Sequence, residues 1–208
     1  MNKNVLNLRF IIIGDSPVGK TSLLIRYVRE QFSENLIPNI FFDYQIKKFE
    51  YKGFKINLCI FEYTRQEKER VNIKTIFKGM DGFFIVFDLT NQYSFNSLKS
   101  WIDEIKECKG NDYSNIVILG NKSDLEDIYH VSDEDIENFK KEFNIDIIKT
   151  SAKNGNGVKD AFNKMIDLNF SNQTEEEIYK NFCRSLKLRL SINKKKHIKN
   201  FESCVWLK

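Results

Sequence analysis

Short apolar runs alternate with amphipathic stretches along most of this chain. Leu8–Ile13, Phe83–Phe87 and Ile116–Gly120 are almost wholly apolar and of strand length, the pattern of strands covered on both faces. Lys20–Phe32 has helical spacing, with Leu23, Leu24, Tyr27, Val28 and Phe32 on one side. Tyr44–Tyr51 and Phe54–Phe61 read as two strands joined by a tight turn at Lys52-Gly53, and Ile145–Lys149 as a last strand. Helices are predicted over Glu67–Lys78, Ser94–Cys108, Ser132–Phe143 and Val158–Leu168, with Ser132 as a cap and Asp133–Asp135 favouring the turn after it. Strands alternating with helices predict an α/β fold with a mostly parallel six-stranded sheet, one antiparallel edge strand, and helices on both faces. Ligands in such folds bind at the carboxyl ends of the strands.

Composition narrows the classes. A length of 208 residues suits one domain, and 41% apolar with 30% charged residues suits a globular one. Two Pro and nine Gly argue against a collagenous chain, and no apolar run is long enough to span a membrane as a helix. Four scattered Cys and two His offer no metal cluster. The first residues resemble no signal peptide, and Asn2 is incompatible with N-myristoylation, so a cytoplasmic location is expected. Charge is uneven: from Arg184 onward eight Lys or Arg residues face one Glu, whereas the rest is slightly acidic. The expected division is a domain over 1–171 and a C-terminal helix and basic tail over 172–208. Glu175–Leu190 has Ile178, Phe182, Leu186 and Leu190 four apart.

Three stretches carry chemistry. Gly14-Asp15-Ser16-Pro17-Val18-Gly19-Lys20-Thr21 matches G-x-x-x-x-G-K-[ST] between a predicted strand and a predicted helix. Successive backbone N–H groups and a helix N-terminus make a positive nest for phosphates. Lys20 would reach the β and γ phosphates, and the Thr21 hydroxyl would hold Mg²⁺. Asn121-Lys122-Ser123-Asp124 follows the strand ending at Gly120. A carboxylate such as Asp124 can accept from both N1–H and the 2-amino group of guanine, whereas adenine would leave it unpaired, at about 1–3 kcal/mol. The Lys122 stem can lie along the base. Ser151-Ala152-Lys153 follows the last strand, and the Ala152 N–H can donate to the guanine O6. Separately, the second and third stretches are equally compatible with polar turns.

Lys20 and Asn121 are 101 residues apart, and Asn121 and Ser151 are 30 apart. With those spacings the chain resembles a small GTPase of the Ras superfamily over about residues 8–170, with the P-loop NTPase fold. Phe87-Asp88-Leu89-Thr90-Asn91-Gln92-Tyr93-Ser94-Phe95, with Trp101 beyond, resembles the Rab branch. Phe95 and Trp101 are expected in the core. The resemblance implies GTP/GDP as ligand, Mg²⁺ as cofactor, and nucleotide contacts from Gly14 to Ser22. It implies Lys20 and Gln66 as catalytic residues, and a monomer. It also implies effector, exchange-factor and GTPase-activating partners at Asn39–Tyr44 and Phe61–Arg70, and a role in vesicle and membrane trafficking.

The chain departs from the family pattern where the third phosphate is sensed. Pro17 removes one N–H from the nest. Asn39 stands where the family has a Thr that binds Mg²⁺ and the γ-phosphate, and Mg²⁺ tolerates little geometric error. Phe61-Glu62-Tyr63-Thr64-Arg65-Gln66-Glu67 resembles Trp-Asp-Thr-Ala-Gly-Gln-Glu. Glu62 thus replaces the metal-shell Asp, Arg65 replaces a Gly, and Gln66 is kept to orient water. Thr21, Asn39 and Glu62 are the expected metal residues. Two readings compete: a slowly hydrolysing switch, and a nucleotide-binding scaffold that barely senses the third phosphate. Arg65 is either a guanidinium acting in cis or a solvent-facing residue, and Phe41 and Phe42 either an apolar contact patch or packing.

In the tail, Lys194, Lys195, Lys196 and Lys199 form a polybasic patch suited to an anionic membrane. Such a patch is expected to place the protein at the cytosolic face of an endomembrane. Cys204 is followed by four residues where a prenylation signal has three, so its lipidation is the weakest of these expectations. No aromatic residue interleaves the Lys run, which argues against nucleic acid. The Asn121–Asp124 stretch argues against a P-loop kinase or ATPase.

Overall fold

Six strands form one sheet: β1 (Val5–Gly14), β2 (Tyr44–Tyr51), β3 (Phe54–Glu62), β4 (Gly82–Asp88), β5 (Ile116–Asn121) and β6 (Ile147–Lys149). Their order is β2-β3-β1-β4-β5-β6, with β2 antiparallel to β3 and every other neighbouring pair parallel. This computed structural model describes residues 5–34, 44–63, 73–110 and 115–171. The chain divides into two compact units, Met1–Asn169 and Phe170–Lys208, and the first carries the sheet.

The helices are α1 (Lys20–Arg29), α2 (Ile73–Lys78), α3 (Gln92–Asn96), α4 (Leu98–Lys109), α5 (Asp133–Phe143) and α6 (Val158–Ser171). They cover both faces, because β4 is apolar on both. Its Phe83, Ile85 and Phe87 join a core with Ile76, Phe77, Trp101 and Ile105. Phe84 points the other way, onto Phe162 of α6, with ring centroids 4.5 Å apart. Phe162 stacks in turn on Tyr27 of α1 at 3.6 Å, and the Lys47 ammonium of β2 sits 4.0 Å over the Tyr27 ring. Burial pushes the Tyr27 hydroxyl up to about 12, so that ring is neutral under the cation.

The hairpin expected at Lys52-Gly53 is present, with φ of 46° and 79°, the pair of positive values a two-residue hairpin turn needs. The Ser132 cap is also present and reciprocal. Its hydroxyl accepts from the Asp135 N–H at 3.1 Å, and the Asp135 carboxylate accepts from the Ser132 N–H at 3.3 Å. Other boundaries differ from the sequence reading. α1 stops at Arg29 because Glu30 turns left-handed (φ 58°) and returns its N–H to the Arg26 carbonyl, which leaves Phe32 outside the helix. The helix expected at Ser94 starts at Gln92, because the Asn91 side chain accepts from the Tyr93 N–H, and it is interrupted at Ser97. β6 begins two residues late, at Ile147. The early part of the helix expected from Glu67, and the whole of Glu175–Leu190, lie outside the described residues.

Register places the site. Ile12 is opposite Glu62, Gly14 opposite Val86, Asp88 opposite Asn121, and Gly120 opposite Lys149. The carboxyl ends of five parallel strands therefore finish along one edge of the sheet. Phe162 is fully buried and bridges α1, α6 and β4. Phe162→Ala is expected to cost about 3–5 kcal/mol of unfolding free energy, read as a lowered urea midpoint.

Candidate functional site

The loop after β1 is shaped by its neighbours before any ligand is considered. Gly14 has φ 145°, and a Cβ there would stand 2.3 Å from the Val86 carbonyl oxygen on β4. Gly19 has φ 93°, and its Cβ would stand 2.4 Å from the Asn121 side-chain nitrogen. Both glycines are thus required by strand and side-chain packing. Ser16 and Pro17 form the exposed tip, and Val18 turns inward.

Lys20 opens α1 and is only 4% exposed. Its ammonium lies over the loop, donating to the carbonyl oxygens of Gly14 at 3.0 Å and Asp15 at 2.9 Å. Those bonds compensate a buried charge and hold it where anionic oxygens would meet it. The Asp15 carboxylate accepts from the Trp101 indole N–H at 3.1 Å, which ties the loop to α4.

Asn121, at the end of β5, joins the loop to the other two stretches. Its buried amide nitrogen donates to the Val18 carbonyl at 2.8 Å, and its oxygen accepts from the Ala152 N–H at 3.2 Å. Asp124 follows three residues later, where its Oδ1 accepts from the Ser151 hydroxyl at 2.5 Å. A carboxylate offers about four lone-pair directions, so this bond fixes the group and leaves capacity for paired N–H donors. Lys122 has φ 65°, and its ammonium pairs with Asp88 at 2.6 Å. The structure therefore brings Gly14–Ser22, Asn121, Lys122, Asp124, Ser151, Ala152 and Lys153 to one end of the sheet.

The Thr21 hydroxyl donates to the Glu62 carboxylate at 2.7 Å. Two of the three expected metal residues are thus adjacent, and both offer oxygen, which suits Mg²⁺. Among the described residues no group of three or more His, Cys, Asp or Glu could hold a metal ion. Asn39, Arg65, Gln66 and Cys204 lie outside the described residues, as do Phe41 and Phe42.

Three neighbours were not singled out by sequence reasoning as part of the site. Asp88 sits inside the Rab-like stretch, where it read only as identity. Its Oδ1 accepts from the Thr90 N–H and hydroxyl while Oδ2 holds Lys122. Trp101 read as packing alone, and it is indeed buried, but its N–H also reaches Asp15. Arg26, on the polar side of α1, bonds the carbonyls of Ala152 and Lys153, and no local pattern announces it.

A mostly parallel α/β sheet with this loop after β1 and Asn121–Asp124 after β5 defines a P-loop, GTP-binding domain. The profile of the Ras family matches residues 9–170. Human Ras-related protein Rab-8B is 38% identical over 154 residues, covering 74% of each chain. The GTP-binding protein ypt1 of Schizosaccharomyces pombe is 34% identical over 184 residues, covering 88% of each. The Ras-related protein SEC4 of Saccharomyces cerevisiae is 34% identical over 155 residues, 74% of this chain and 71% of that one. The chain belongs to the Ras family of small GTPases, in which it is Rab-like.

Gly19→Ala would force a Cβ into the Asn121 amide and a side chain into a left-handed backbone. Affinity for GDP is expected to fall about 100-fold or more, measured by titration calorimetry, because the loop and the base-facing turn lose their shared contact.

Proposed function

We propose that this protein is a Rab-like GTPase of intracellular membrane trafficking, a slow molecular switch that binds GTP and GDP with Mg²⁺. The observation that carries the reading is the Asn121 amide, which holds the phosphate loop and the Ala152 turn at once. In this reading Asp124 selects guanine through its N1–H and 2-amino group, Ala152 N–H meets O6, and the Lys122 stem covers the base. Lys153 and Ser151 support that turn. Asp15 to Ser22 surround the phosphates, and Lys20 turns its ammonium to them, stabilising negative charge that develops during transfer to water.

Thr21 and Glu62, with Asn39, are the residues that would hold Mg²⁺, which when bound neutralises charge on the phosphate oxygens. Gln66 orients the attacking water, and Arg65 lies beside it in sequence. Hydrolysis is slow in this reading because Pro17 lacks an N–H and because Asn39, Glu62 and Arg65 replace the family's residues for the third phosphate.

The domain is assigned to 1–171 and the tail to 172–208. The monomer meets effectors, exchange factors and activating proteins through Asn39–Tyr44 and Phe61–Arg70. Its polybasic tail meets an anionic endomembrane from the cytoplasmic side, and a lipid on Cys204 would strengthen that contact. Intact-mass analysis of protein from its own cells tests that lipid: a prenyl addition on Cys204 supports it, and the unmodified mass overturns it.

A second reading has one observation behind it. The bond between Thr21 and Glu62 engages the hydroxyl that the metal would use, which favours a guanine-nucleotide-binding scaffold without switching. Titration with GDP and with a non-hydrolysable GTP analogue, with and without Mg²⁺, separates the two. The switch reading expects Mg²⁺ to tighten both ligands, and single-turnover hydrolysis at or below about 10⁻⁴ s⁻¹. Equal affinities without Mg²⁺ dependence, and no phosphate release, overturn it in favour of the scaffold.

A further inference from the structure

Arg26 belongs to none of the motifs, yet its guanidinium makes three hydrogen bonds at the edge of the site. Nε donates to the Ala152 carbonyl at 2.7 Å and Nη2 to the Lys153 carbonyl at 2.6 Å. Nη1 donates to the Glu30 carbonyl at 2.8 Å. Glu30 is the left-handed residue that ends α1, so this third bond fixes the guanidinium to its own helix. The first two then fix the Ser151–Gly157 turn to that helix.

The consequence falls on Ala152. Its carbonyl is held by Arg26 and its N–H by Asn121, so both of its peptide groups are constrained. The bond to Arg26 is charge-assisted and short, and the bond to Asn121, at 3.2 Å, is longer. The Ala152 N–H belongs to the preceding peptide group, so Asn121 holds it directly, and the guanidinium limits it from the other side by fixing the peptide group that follows. The same helix begins with Lys20 and Thr21, and Arg26 lies six residues on, about 9 Å along the axis. One rigid element thus carries the phosphate donors at its start and the anchor of the base-facing turn further along.

We propose that Arg26 is a specificity-determining positioning residue: by holding the carbonyls of Ala152 and Lys153 to α1, it aims the Ala152 N–H at the six-position oxygen of a bound guanine. This rests on the reading above that Ala152 meets the base. Arg26 touches no nucleotide atom in this scheme. It acts through a planar fork that spans two carbonyls, which a lysine ammonium cannot reproduce.

The test is competitive displacement of a fluorescent GDP from the full chain by three diphosphates. They are GDP, 6-thio-GDP (weak acceptor at position six, other edges kept) and inosine diphosphate (O6 kept, 2-amino group absent). The wild-type protein is expected to prefer GDP over both analogues. Arg26→Lys keeps the stem and the charge, and is expected to lose about tenfold of the preference over 6-thio-GDP while keeping the preference over inosine diphosphate. Arg26→Gln, with a neutral side chain, should show the same pattern. If either folded variant keeps both preferences, or loses both equally, Arg26 only stabilises the fold and the proposal is overturned. If the wild type itself does not separate GDP from 6-thio-GDP, the assignment of Ala152 fails first, and Arg26 falls with it.

Discussion

The Asn121 carboxamide is the interaction on which the rest of the site depends. It stands at the end of β5 with a donor and an acceptor, and it uses both across the gap between two loops. Val18 and Ala152 are separated by most of the domain in sequence, and neither loop reaches the other by itself. Losing the side chain would leave a buried carbonyl and a buried N–H without partners, about 1–3 kcal/mol each. The geometry of Gly19 is set by the same group, since the Asn121 nitrogen fills the space that a Cβ would take. A purine and its phosphates need these loops in fixed relation, and one buried amide supplies it.

The two halves of the site differ in how their polar groups are engaged. On the base side, each carboxylate has a partner that fixes its direction: Ser151 for Asp124, and Lys122 with Thr90 for Asp88. On the phosphate side, the groups that would face phosphate and metal face one another. Lys20 is turned onto two carbonyls of its own loop, and Thr21 is turned onto Glu62. A small cation with strict octahedral demands must compete with that bond.

The fold was legible because its signals are local. Lys52-Gly53 between two alternating runs specifies a hairpin, and Ser132 with Asp135 specifies a helix start. The phosphate loop and Asn121–Asp124 were legible because each is contiguous and carries its own chemistry. What escaped is pairwise and distant. Arg26 and Ala152 are 126 residues apart, and Asp15 and Trp101 are 86 apart. Only the register of β1, β4 and β5 brings such residues together, and periodicity does not encode which side chain crosses a strand end. The end of α1 was misread for a related reason: the apolar Phe32 extends the pattern, but the backbone turns left-handed at Glu30.

Tyr63 ties the chain after β3 into the core. It is fully buried, packed edge-on against Phe77 and Trp101 with centroids 6.2 and 6.4 Å away, and its N–H donates to the Ile12 carbonyl. The same Trp101 holds Asp15 in the phosphate loop. Tyr63 is therefore built into the core beside the ring that holds the phosphate loop. Three large rings cannot repack by small steps, because cores are close-packed and a displaced ring leaves a void. Residues through Tyr63 thus behave as part of the rigid frame. Glu62, one residue before Tyr63, meets Thr21 at the edge of that frame.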